Sequence, residues 1–252
     1  MHLRKLAVFI VLVLMIPLCA DSQTMKVVFK SISENSEELS YFISANYPQA
    51  DFGPEALMGL RGVENDINYG IDTIVNNMIC GFKNSVSEMP NNTAMNGLGS
   101  SLEITGNASV ISGTIYSAQI KEFSAVIGMA HPNTVIRSYN YCINSAGLLS
   151  DFSVLFLQQS DYLKYISDYC IAELKSNAQK YGYSNIDEMI ETGASPDLNN
   201  FNTWNISEDM LLITFNAAQI APYVFGIQTV SIPLINMTNM INPEGPLSFM
   251  FR

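Results

Sequence analysis

From residue 57 to residue 82 the apolar side chains Leu57, Leu60, Val63, Ile67, Ile71, Ile74, Met78 and Phe82 return every three or four positions. That spacing predicts an amphipathic helix of about six to seven turns. A second helix is predicted over residues 161–180. Ser160 is its candidate N-cap, Leu163, Ile166, Cys170 and Leu174 form one face, and Gly182 lies just past its end. A short third helix falls around residues 186–191. Elsewhere the period drops to two. Residues 25–32 and 39–47 read as early strands, with Pro48 closing the second because it lacks a ladder donor. After a loop at 89–101, strands follow over 102–116 (broken near Gly106 or Gly113), 123–128 and 134–143. The last carries the alternation Val135, Arg137, Tyr139, Tyr141, and the set predicts an antiparallel meander. Residues 201–206 and 210–215 flank a polar turn, and 227–232 is a further strand closed by Pro233. These elements sum to an α+β fold with a mostly antiparallel sheet and two main packed helices.

The first twenty residues follow a different pattern. Arg4 and Lys5 precede an apolar run over 6–18, then the segment Cys19-Ala20-Asp21-Ser22. This is the layout of a secretory signal peptide, with cleavage expected after Ala20. As a helix the run covers ~20 Å, short of the ~30 Å hydrocarbon core of a bilayer. A competing reading makes Cys19 a lipid anchor, although the bulky Leu18 before it argues against that. No later segment is apolar for long enough to span, so residues 21–252 are expected as a single exported module, with a subdivision near 150–160 as the alternative.

Composition supports a folded chain: 48% hydrophobic and 10% aromatic content exclude disorder. Charge is one-sided. Of 12 basic residues, Arg4 and Lys5 leave with the signal, so 10 face 23 acidic ones, a balance of −13. Such a surface repels nucleic acid and favours cationic partners. Cys80, Cys142 and Cys170 remain after cleavage. Export permits one disulfide, with the pair left open, and the apolar helix positions of Cys80 and Cys170 also suit buried free thiols.

Candidate chemistry is sparse. His2 leaves with the signal, so His131 is the remaining histidine, in the turn Gly128-Met129-Ala130-His131-Pro132. A zinc site of paired histidines is impossible, and only His131 could act as a base in a catalytic triad or dyad. Its other reading is a turn histidine that ties down neighbouring backbone. The carboxylates at Glu64, Asp66, Asp187, Glu188, Glu208 and Asp209 sit in polar stretches and read as solvated surface. No phosphate-binding glycine loop, metal site or cofactor is predicted. Trp204, the lone tryptophan, is either a recognition anchor or core. Glycosylation sequons start at Asn91, Asn107, Asn205 and Asn236.

Several segments occur together in a recognisable order. Tyr47-Pro48-Gln49 precedes the long helix with Asn65 and Ile67. Phe123-Ser124-Ala125-Val126 leads into the 128–132 turn and then into 148–156. Ile220-Ala221-Pro222-Tyr223-Val224-Phe225-Gly226 comes before Val230-Ser231-Ile232-Pro233. This order resembles the extracellular module of the anti-sigma factor RsiV and the non-catalytic N-terminal module of the peptidoglycan deacetylase PdaC, a domain family of largely unknown function. The resemblance covers most of residues 40–240. It implies a binding module, since in RsiV such a domain captures lysozyme and in PdaC the chemistry belongs to a separate domain. The expectation is therefore an exported envelope or secreted module, periplasmic or extracellular. It would bind lysozyme or another cell-wall-related cationic partner, with His131, Trp204 and Tyr223 as candidate binding residues. A cell-wall glycan hydrolase or deacetylase using His131 is the alternative, and a purely structural envelope component is a third reading.

Overall fold

Two β-sheets of unequal size organise the chain. The computed structural model describes residues 24–89 and 99–251. The expected signal segment with His2 and Cys19, and the sequon at Asn91, lie outside the described residues.

The larger sheet has six strands in sequence order: β1 (Lys26–Ser36), β2 (Tyr41–Asp51), β3 (Ser100–Ile111), β4 (Ile115–Ala125), β5 (Asn133–Cys142) and the two-residue β6 (Gly147–Leu148). All neighbours pair antiparallel except β2 and β3, which run parallel with Tyr41 opposite Ser100. The α+β expectation holds, and the main sheet is mixed. The long helix α1 (Met58–Ser87) explains the parallel pair, because it is the crossover that returns the chain to the end where β2 began.

Pro48 does not end β2 as its missing donor predicted, but sits within it opposite Phe29. The ladder to β3 stops at Asn46 opposite Thr105, so beyond that point one edge of β2 needs no donor and proline fits. Gly106 leaves room for that ring: a Cβ there would meet Pro48 Cδ at 2.6 Å. The strand expected over 102–116 breaks at Ser112-Gly113, both in the left-handed region, and Phe123 belongs to β4.

Helix α1 has 30 residues, longer than its pattern predicted, and buries Val63, Ile67, Ile71, Val75, Met78, Phe82 and Val86. Leu57 stands outside the helix and is 71% exposed. This stripe packs on one face of the larger sheet, against Ile43, Ala45, Tyr47, Leu102, Ile104, Tyr116, Ala118 and Ile120. Cys80 falls opposite the stripe and is exposed, contrary to the expectation of a packed thiol.

A second core covers part of the other face. It joins Ile111, Ile115 and Cys142 to helix α2 (Tyr162–Lys180), the short α3 (Asp187–Gly193) and an antiparallel sheet of β7 (Trp204–Ser207), β8 (Met210–Phe215) and β9 (Gln228–Pro233). The N-cap position of α2 is Asp161, and Ser160 instead donates its hydroxyl to the Leu157 carbonyl. At the other end Gly182 (φ +76°) donates to Gln179 O and Tyr183 to Ala178 O, the paired closure a left-handed glycine permits. Cys142 and Cys170 are buried free thiols, so no disulfide occurs among the described residues. Asn107 and Asn236 are exposed, whereas Asn205 is buried with its amide hydrogen-bonded, which closes that sequon to a glycan in the folded state.

Candidate functional site

The first half of α1 passes beside the last residues of β5, and a cleft of about 690 Å³ lies between them. Asp66, Tyr69, Gly70, Thr73 and Ile74 form its helical wall; Tyr139, Tyr141 and Trp204 contribute its aromatic floor, and Leu148, Leu149 and Asn202 lie on the far side. That volume is in the range of small-molecule and peptide sites.

Strand periodicity builds the floor. Tyr139 and Tyr141 are two apart on β5 and therefore share a face, with ring centroids 6.4 Å apart and planes 13° from parallel. Both are fastened to one residue of the helix. The Tyr141 hydroxyl donates to Asp66 Oδ2 at 3.0 Å, and the Tyr139 hydroxyl donates to the Asp66 carbonyl at 3.2 Å. Gly70 makes this approach possible, since a Cβ there would lie 2.4–2.6 Å from the Tyr139 ring. Burial, and then the hydrogen bond to Asp66, push the Tyr141 phenol up to about 12. Burial raises Tyr139 as well, so both hydroxyls stay protonated donors at neutral pH.

Trp204 is buried, its backbone N–H donating to Ser138 Oγ and its backbone carbonyl accepting from Asn140 Nδ2. Towards solvent the cleft is edged by Tyr69, 76% exposed, and Leu148, 58% exposed. Asp66 is the one formally charged side chain among the lining residues.

The structure brings two of the three sequence candidates together, away from Trp204. His131 is exposed, with Nδ1 3.0 Å from the Pro132 carbonyl oxygen, and its ring lies 4.4 Å from that of Tyr223. Tyr223 donates its hydroxyl to the same carbonyl at 2.8 Å. The ring thus buttresses a turn. Among the described residues no three His, Cys, Asp or Glu side chains gather as a metal site, and no helix is long and apolar enough to cross a membrane. Asp66, read from the sequence as solvated surface, is exposed as expected but also holds both tyrosines, and Tyr69 and Gly70 are the lining residues that sequence reasoning passed over. A glycine inside a helix costs about 1 kcal/mol against alanine and was the available signal.

The chain from α2 to β9 matches a recognised protein family. Residues 153–234 match the model described as Protein of unknown function (DUF3298). The DUF3298 segment contains Trp204 and Tyr223, while Asp66 and His131 precede it. Over 106 residues the chain is 31% identical to Peptidoglycan-N-acetylmuramic acid deacetylase PdaC of Bacillus subtilis (strain 168), a stretch amounting to 42% of this chain and 22% of that protein. The chain thus matches about a fifth of that relative's length. Two solved DUF3298 structures share the fold. One, from Pseudomonas aeruginosa PAO1, superposes with a TM-score of 0.57 at 9% identity, covering 88% of this chain and 96% of that one. The other, from Bacteroides fragilis NCTC 9343, gives a TM-score of 0.58 at 14% identity, covering 89% and 97%. The resemblance to the PdaC module is therefore present in sequence, and the DUF3298 fold in the structure.

Proposed function

We propose that this chain is an exported, envelope-associated binding module and not an enzyme, and that its partner is a basic protein. The observation that carries this reading is the cleft between α1 and β5, a concave aromatic floor under a single carboxylate with no nucleophile and base paired across it. Its acidity extends over the whole chain, whose formal charge is −11, so a cationic partner is steered towards it at low ionic strength. The sequence likeness to a peptidoglycan deacetylase supports an address at the cell envelope, as does the signal pattern over residues 1–20. His131 braces the Pro132 carbonyl and Tyr223, an arrangement that speaks against a hydrolase built on its imidazole.

A c-type lysozyme is the partner the family resemblance points to. Calorimetric titration at low salt and again at 0.5 M NaCl tests it. Saturable binding that weakens with salt supports the reading, and no heat at low salt overturns it. Mass spectrometry of the exported protein decides whether it begins at Asp21, and is released, or at a lipidated Cys19, and is tethered.

A further inference from the structure

The cleft can be read by asking which of its polar atoms still have hydrogen-bonding capacity. Five of its side-chain donors are spent on the protein itself. Tyr139 and Tyr141 donate to Asp66, Asn140 Nδ2 donates to the Trp204 carbonyl, Thr73 Oγ1 donates to the Tyr69 carbonyl, and Asn202 Nδ2 donates to the Asn199 carbonyl. The hydroxyls of Tyr69, Ser138 and Ser150 and the Trp204 indole N–H keep donor capacity, and the acceptors are the Asp66 carboxylate, the phenolic lone pairs and the Asn202 amide oxygen. No Lys, Arg or His is among the lining residues. An anionic ligand would meet a carboxylate and no positive side chain, whereas a cation rich in donors meets its charge complement. The lining is otherwise aromatic and aliphatic, which suits a cation carried on an apolar stem.

We infer that the α1–β5 cleft receives an arginine side chain presented by a protein partner, with the guanidinium on Asp66 and its plane against the exposed Tyr69 ring. Arginine fits better than lysine because its planar fork meets a carboxylate through two hydrogen bonds and also stacks on an aromatic face. Tyr69 and Leu148 at the rim then cover the methylene stem and the residues flanking it. The cleft's volume leaves room for those flanking residues. This site deepens the binding-module reading and rests on it for the identity of the partner.

The test uses the ¹⁵N-labelled mature protein with two probes, acetyl-Gly-Arg-Gly-amide and acetyl-Gly-Gln-Gly-amide, followed by NMR. The arginine peptide is expected to shift amides in residues 66–74 and 138–148 saturably, and the glutamine peptide to leave them in place. Asp66→Asn retains an oxygen for the Tyr141 hydroxyl but loses the charge, so affinity should fall by ~10-fold or more. Tyr69→Ala, on the exposed helix surface, should weaken binding without touching that hydrogen bond and serves if Asp66→Asn fails to fold. Equal binding of both peptides, shifts confined to other regions, or unchanged affinity in a folded variant would overturn the site. Lysozyme titrations separate the two readings. Lysozyme binding that is indifferent to Asp66→Asn leaves the module reading standing and removes the cleft. Arginine-peptide binding in the cleft without any lysozyme binding does the reverse.

Discussion

Ser117 donates a 2.6 Å hydrogen bond to the side-chain oxygen of Asn140, its register partner on the neighbouring strand of the larger sheet. The same hydroxyl accepts from Asn205 Nδ2 at 3.1 Å and from the Ile206 N–H at 3.0 Å, both on β7. β7 is thus hydrogen-bonded onto the face of the larger sheet, and all three polar side chains are buried. Removing the Ser117 hydroxyl leaves the Asn140 side-chain oxygen and the Ile206 N–H without this partner, so Ser117→Ala should cost about 1–3 kcal/mol of stability in urea denaturation. The Ser117→Ala/Asn205→Ala double variant should lose less than the two single losses added together, because the two side chains belong to one network. Strict additivity would remove the idea of a shared seam.

Two glycines of α1 should respond to alanine with opposite signs. At Gly70 the new methyl meets the Tyr139 ring at 2.4–2.6 Å, and the helix or β5 must yield; destabilisation of about 1–3 kcal/mol is expected. At Gly81 nothing lies within 4 Å, so the gain in helix propensity is uncompensated and Gly81→Ala should stabilise by about 0.5–1 kcal/mol. Thermal midpoints moving in the same direction for both would contradict the close approach that forms the cleft wall.

How far the sequence foretold this structure depends on the range of each interaction. Helices α1 and α2 were legible because their period repeats over many turns, and β7 to β9 because polar turns and Pro233 punctuate them. The parallel pairing of β2 with β3 was not, since periodicity within a strand says nothing about which strand lies beside it. Pro48 was misread for the same reason: whether a strand tolerates proline depends on what lies across from its missing N–H. The meeting of Asp66 with Tyr141 spans 75 residues and left no trace in the spacing of either.

Two glutamates should give opposite pH signatures. Glu34 accepts from Lys83 at 2.7 Å and from the Tyr41 hydroxyl, and these bonds, Lys83 first, lower its pKa from an ordinary value of 4.5. Its contribution is therefore present above that ordinary value and lost as pH falls through the lowered one. Glu34→Gln should remove ~0.2–1 kcal/mol at pH 7, the scale of an exposed ion pair, and less at pH 3. Glu122 is the reverse case: burial raises its pKa, only partly opposed by Arg137. Its contribution is full below the ordinary value and lost as pH rises through the raised one, so Glu122→Gln should stabilise at pH 7 and make little difference at pH 3. Urea midpoints at pH 3, 5 and 7 check both signs, and parallel curves for the two variants would contradict them.

The three free thiols among the described residues should separate by reactivity. The thiolate is the reacting species, and burial pushes the Cys170 thiol up to about 12, so almost none of it is ionised at pH 7.5. Cys142 is buried in the second core, in the same cluster as Ile111 and Ile115. Cys80 stands on the outer surface of α1, where reagent can reach it. Iodoacetamide at pH 7.5 should therefore modify Cys80 alone among the three in the folded protein. Cys80→Ser should abolish that labelling with little change in the thermal midpoint, because an exposed helix position has no packing to lose. In denaturant Cys142 and Cys170 should label at the rate of ordinary thiols. Native-state labelling of Cys170 that keeps pace with Cys80 would mean that the helix α2 core opens far more often than its buried stripe allows.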